Sequence, residues 1–168
     1  MGKMNSVGKA GRMSRVKKGL SLGGFIAVAF LPVLGAVGAK PGEWYLNLRK
    51  PPLNPPGWVF GPVWTLLYLL MGISAWMVWN KADAAARRPA MGIFGVQLFC
   101  NGLWSWLFFT RQRPDLAMVD LIAMWVAIVA MIRSFHRIEP RAGLLQVPYL
   151  LWVSFAGYLN LSLWWLNR

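Results

Sequence analysis

The chain has 168 residues, room for one domain, yet 57% are hydrophobic, 14% are charged and 11 are Trp, which excludes an ordinary soluble globule and makes lipid its solvent. A net charge of +13 would draw a soluble protein to nucleic acid, but all 18 Lys and Arg lie in the tail, the connections or the last residue, and no basic stripe interleaved with aromatics forms a groove for phosphates. With five acids, one His, one Cys and no Gly-rich phosphate loop, hydrolytic and metal-dependent chemistry has almost nothing to work with, and no metal site is expected.

Residues 1–19 are basic, contain Gly and Ser, and predict a mobile tail able to rest on anionic headgroups. The start, Met1-Gly2-Lys3-Met4-Asn5-Ser6, fits the loose pattern for N-myristoylation at Gly2. Leu20 to Ala39 is the first apolar run. Its small-residue end at Val37-Gly38-Ala39 also fits a signal peptide, but the run exceeds the roughly 7 to 15 residues of a signal core, so a retained helix is the reading adopted.

Lys40 to Pro62 is the longest connection and includes Pro51-Pro52-Leu53-Asn54-Pro55-Pro56. Proline lacks the backbone N–H and restricts the residue before it, so this run is expected to be extended and semi-rigid. It is either a lid over the helices or a plain bridge between two helix ends.

Four more stretches lack Lys and Arg: Val59 to Trp79, Ala90 to Phe109, Leu116 to Ile132 and Leu144 to Leu166. Each is long enough to cross a hydrocarbon layer of about 30 Å as a helix. Backbone groups inside lipid must bond within their own segment, and the alternation of a β-barrel is absent. The fold class is therefore an all-α membrane protein, a bundle of five transmembrane helices.

The side carrying the tail and the second and fourth connections holds 12 cations, and the other side six: Lys40, Arg49, Lys50, Arg111, Arg113 and Arg168. The positive-inside rule then puts the N-terminus in the cytoplasm and the C-terminus outside. His136, in the basic fourth connection, is expected to meet solvent or headgroups.

Polar and aromatic residues inside the spans point to a site, because such groups face the bundle interior. Gln97, Asn101, Trp104 and Phe108 share one face of the third span, Tyr149, Trp152, Ala156 and Asn160 one face of the fifth, and Trp64, Tyr68, Met71 and Ala75 one face of the second. Together they could wall a flat, mostly apolar cavity. Trp58, Trp79, Trp164 and Trp165 sit at span ends as belt residues, whereas Trp64, Trp104 and Trp152 lie deeper and either line a cavity or pack helices. Asp120 either bonds another helix, through Asn or Trp donors, or serves a ligand or proton. Cys100 lies mid-span and is alone.

The run from Lys50 to Tyr68, containing Pro51-Pro52-Leu53-Asn54-Pro55-Pro56-Gly57-Trp58-Val59-Phe60-Gly61-Pro62-Val63-Trp64, resembles the signature of the tryptophan-rich sensory protein and translocator protein family. Gln97 to Ser105 and Pro148 to Asn160 resemble it too. The resemblance covers about residues 20–167. It implies a five-helix bundle, often a homodimer, with a cavity under the first loop for porphyrin, haem or drug-like ligands and no required cofactor. By motif match Trp64, Asn101, Trp104, Trp152 and Ala156 fall at cavity positions and Tyr45 at the loop position over the ligand. Trp64 and Trp152 match tryptophans implicated in light-driven porphyrin breakdown, so they would be the catalytic residues of an enzyme. Leu53 stands where many relatives carry an aromatic. The sterol pattern needs a basic residue within about five of a Tyr; after Tyr158 the first is Arg168, so sterol binding is not expected.

Three functions follow: a tetrapyrrole-binding receptor or carrier that senses or limits free porphyrin, an enzyme of light- and oxygen-dependent porphyrin degradation, and a small-molecule or lipid transporter. The last is ranked below the others because neither a broken-helix pair nor an inverted repeat is visible.

Overall fold

The structure is a computed structural model that describes residues 17–39 and 41–168. The myristoylation pattern at Gly2, the tail to residue 16 and Lys40 lie outside the described residues. The described residues form helices and no strand. We number them α1 (Lys17–Gly35), α2 (Glu43–Asn47), α3 (Phe60–Lys81), α4 (Ala84–Ser105), α5 (Pro114–Ile138), α6 (Pro140–Leu144) and α7 (Val147–Leu166). Five helical segments, with α6 and α7 counted as one, are long and apolar enough to span a membrane.

The spans occur where the charge-free stretches predict them, but their ends differ: α1 begins at Lys17, inside the expected tail, and stops at Gly35, short of Ala39, and the last span starts at Pro140 rather than Leu144. α3 continues to Lys81, α4 starts at Ala84 rather than Ala90, and α5 runs to Ile138 instead of Ile132. A charge ends the hydrocarbon segment without ending the helix, because backbone hydrogen bonding continues among the headgroups. Arg133, His136 and Arg137, expected in a connection, are therefore on the last turns of α5. There the basic side chains favour the negative end of the helix dipole. The Asp83 carboxylate caps α4 by accepting from the Ala86 amide at 2.8 Å.

The first connection is not wholly extended. Its proline run is, but Glu43–Asn47 forms the short helix α2, and a 3₁₀ turn at Gly57–Val59 leads into α3. Pro62 lies in the first turn of α3, where a missing N–H has no helical partner to lose. α1 is interrupted by a turn at Phe30–Leu31, immediately before Pro32.

The bundle surface is apolar, and a few polar side chains lie within an otherwise apolar core. Phe99 (70% exposed), Val119 (66%) and Leu151 (66%) face outward, as a lipid solvent requires. Gln97, Asn101, Asp120, Gln146 and Asn160 are buried. Since lipid tails are as apolar as Leu, close packing and interhelical hydrogen bonds must hold the helices together.

Two glycines let α1 approach the rest. A Cβ on Gly72 of α3 would stand 2.7 Å from Ile26 Cα, and one on Gly35 of α1 would stand 2.6 Å from Gly102 O of α4. Gly72→Val is expected to push α1 outward and destabilise the protein by about 1–3 kcal/mol. A thermal midpoint in detergent equal to wild type would refute this account of the α1–α3 contact.

Candidate functional site

A cavity of about 660 Å³ lies between the first connection and the nearby ends of α3, α4 and α7. Its size falls within the roughly 300–1,000 Å³ of small-molecule sites. Pro41, Tyr45, Leu46, Lys50, Asn54 and Pro55 contribute the connection's side, and Phe60 and Trp64 come from α3. Trp104, Phe108 and Phe109 form the α4 side, with Ala156, Leu159, Asn160 and Leu163 from α7. The first connection is thus a cavity wall as well as a bridge.

Its position is anchored at two places. Trp44, Tyr45 and Leu48 pack on an apolar cluster of Phe108, Ala117 and Leu163. Asn167, just past α7, accepts from the Arg49 amide at 2.9 Å and donates to the Arg49 carbonyl at 3.0 Å. Tyr45 donates to Asn54 Oδ1 at 3.4 Å. Burial pushes the Tyr45 phenol above its ordinary value, partly opposed by that hydrogen bond, so near neutral pH it remains an uncharged hydroxyl.

The aromatic wall depends on a local irregularity. α4 ends in a π turn over Trp106–Thr110, closed by the Arg111 amide on Trp106 O at 2.9 Å. Phe108 stacks on Trp104 with centroids 5.0 Å apart and 22° between planes, and Phe109 meets Trp104 edge-on at 6.0 Å. Both phenyl rings line the cavity. Regular 3.6-residue periodicity selects Phe108 and misses Phe109, because the wider turn brings both to the site. The Trp104 indole N–H donates to Asn160 Oδ1 at 3.2 Å, and Asn160 Nδ2 donates to Pro114 O at 2.8 Å, fixing α4, α7 and the start of α5 together.

Tyr45, Trp64, Trp104, Phe108, Ala156 and Asn160 therefore share one cavity. Tyr68, Gln97, Asn101 and Tyr149 do not line it. They fill the bundle beneath with a closed hydrogen-bond network. Tyr68 donates to Asn101 Oδ1 at 2.9 Å, Asn101 Nδ2 donates to the Tyr149 hydroxyl at 2.9 Å, and that hydroxyl donates to Gln97 Oε1 at 3.0 Å. The three polar faces meet as predicted, but only their loop-proximal parts border open space. Trp64 joins the two regions, stacked on Tyr68 at 5.4 Å and 27°.

Trp152 stands off the wall. It packs edge-on against Phe60 at 5.7 Å and beside Phe155. Asp120 is also apart from the cavity: it is buried, its Oδ2 has no hydrogen-bond partner, and its side-chain neighbour is the thiol of Cys100. The expected bond to another helix thus runs to the Cys100 thiol of α4, not to an Asn or Trp donor. The Asn101 and Asn160 amides, and the Trp104 and Trp125 indoles, already donate to Tyr149, Pro114, Asn160 and Ser154.

Sequence reasoning did not single out Lys50, Asn54, Phe60 or Leu163 as site residues. The density of prolines around Asn54 signalled a rigid wall, but nothing in the pattern indicated which of its side chains turn inward.

The sequence model described as "TspO/MBR family" matches residues 24–166. The chain is 41% identical over 149 residues to "Tryptophan-rich protein TspO" of Chlorobaculum tepidum, covering 86% of this chain and 88% of that one. It is 38% identical over 143 residues to "Tryptophan-rich sensory protein" of Cereibacter sphaeroides, covering 85% and 89%. It is 34% identical over 150 residues to "Translocator protein" of Bos taurus, covering 88% and 85%.

Proposed function

The chain belongs to the TspO/MBR family, and from that premise we propose that this multi-pass membrane protein is a tetrapyrrole-binding receptor or carrier that senses or limits free porphyrin. The observation that carries the reading is the cavity of about 660 Å³ walled by the rings of Tyr45, Trp64, Trp104, Phe108 and Phe109. Aromatic walls suit a flat macrocycle, because offset stacking adds about 0.5–1.5 kcal/mol per pair beyond burial. Among the described residues the cavity is lined by no His, Cys or Met, and aromatic rings dominate its wall, so stacking and burial are the main means of holding a haem there.

The test is a titration of the detergent-solubilised protein with protoporphyrin IX in the dark, followed by tryptophan quenching. Saturable micromolar binding is expected, and its absence would remove the reading. Light-driven breakdown of bound porphyrin is a second reading, favoured by Trp64 on the wall and stacked on Tyr68. Illuminating the same samples separates the two: turnover yields a product faster than porphyrin bleaches alone.

Orientation and assembly belong to the same proposal. The basic N-terminal side faces the cytoplasm. A homodimer would cover the open groove of about 650 Å³ between α1 and α4, bordered by Leu31, Leu34, Val37, Phe99 and Trp106.

A further inference from the structure

We infer that Lys50 determines the ligand class of this cavity by selecting flat ligands that carry a carboxylate at the edge facing the first connection. The inference rests on the tetrapyrrole reading and adds to it which part of the ligand is recognised, and by what.

Among the described residues Lys50 is the one charged side chain lining the cavity. The other polar groups there are largely committed to each other: the Tyr45 hydroxyl to Asn54 Oδ1, and Asn160 between Trp104 and Pro114 O. The Lys50 ammonium donates to Leu46 O at 2.8 Å and to Leu48 O at 3.2 Å. An ammonium has three N–H donors, so one is left. Among the described residues the ion pairs are Lys81 with Glu139 and Arg113 with Asp115, and Lys50 has no carboxylate partner. The face of the Tyr45 ring, 5.0 Å from Nζ, holds the cation without neutralising it.

The group is also held in advance. Asn167 clasps the Arg49 amide and carbonyl on one side, and Pro51 restricts the Lys50 backbone from the other. A cation fixed beforehand loses little freedom when it meets an anion. The Tyr45 ring shields one side of the half-buried ammonium from water, so one ion pair there discriminates more than on an open surface. A carboxylate is the anion that a tetrapyrrole carries at its rim, and a charge-assisted hydrogen bond from Nζ would set which edge points to the connection.

The experiment compares protoporphyrin IX with its uncharged dimethyl ester, which has the same ring, on wild type, Lys50→Met and Lys50→Arg in nanodiscs, with matched thermal midpoints as the folding control. The readout is the diacid-to-ester affinity ratio relative to that of Lys50→Met, which cancels partitioning of the ester into lipid. Wild type is expected to favour the diacid about tenfold on this scale, the strength of one charge-assisted hydrogen bond. Lys50→Arg should keep most of the preference, and added salt should shrink it. A ratio unchanged in Lys50→Met overturns the inference while leaving the tetrapyrrole reading in place. Wild type binding neither compound overturns both.

Discussion

Tyr149→Ala is expected to lower the stability of the detergent-solubilised bundle by about 3–5 kcal/mol, the range for removing a buried aromatic ring from a packed core. Tyr149 is 1% exposed and its hydroxyl lies at the centre of the network from Tyr68 through Asn101 to Gln97, with Met124 Sδ 3.4 Å away. Two effects contribute, and Tyr149→Phe separates them. The phenylalanine keeps the ring but leaves Asn101 Nδ2 and Gln97 Oε1 without partners in a region that water does not reach. Each stranded group costs about 1–3 kcal/mol in soluble proteins, and interhelical hydrogen bonds within membranes average about 0.6 kcal/mol. A loss of about 1–3 kcal/mol is therefore expected for Tyr149→Phe, read from thermal or denaturant unfolding. If Tyr149→Phe matched wild type, the network would be incidental and packing alone would hold α3, α4 and α7 together.

Trp104→Ala is expected to weaken dark binding of protoporphyrin IX by at least tenfold. Trp104 lines the cavity, stacks on Phe108 and orients Asn160, so its removal takes away a stacking surface and frees two neighbours. Loss of one aromatic contact, at about 0.5–1.5 kcal/mol beyond burial, together with about 1.5–3 kcal/mol of burial, exceeds the 1.4 kcal/mol of a tenfold change. Trp152→Ala is the comparison. Trp152 stands behind Phe60 and is not on the wall, so its effect should be the smaller one. Equal losses in the two variants, or a larger loss in Trp152→Ala, would place the ligand elsewhere.

Much of this arrangement was legible in the sequence for a simple reason: lipid punishes charge and unsatisfied backbone, so long charge-free runs have to be helices. The helical faces were legible too, because Gln97, Asn101, Trp104 and Phe108 recur at helical spacing. That spacing does not distinguish a residue bordering open space from one bonded to the residue opposite. Asn101 and Trp104 are three positions apart on one helix. One is sealed against Tyr68 and Tyr149, and the other borders the cavity. The difference depends on what stands opposite each residue, Tyr68 and Tyr149 for Asn101 and open space for Trp104, which is a property of packing.

Composition and charge placement by themselves determined the membrane setting, the five spans and the polar faces, since these follow from the cost of burying charge and bare peptide groups in hydrocarbon. Three things were decided only in three dimensions: Phe109 turned to the cavity by a π turn, Trp152 held behind Phe60, and Lys50 drawn to the cavity edge by two carbonyls and a clasp from Asn167. Each depends on contacts between residues distant in sequence or on a break in helical regularity, and neither leaves a period for the sequence to show.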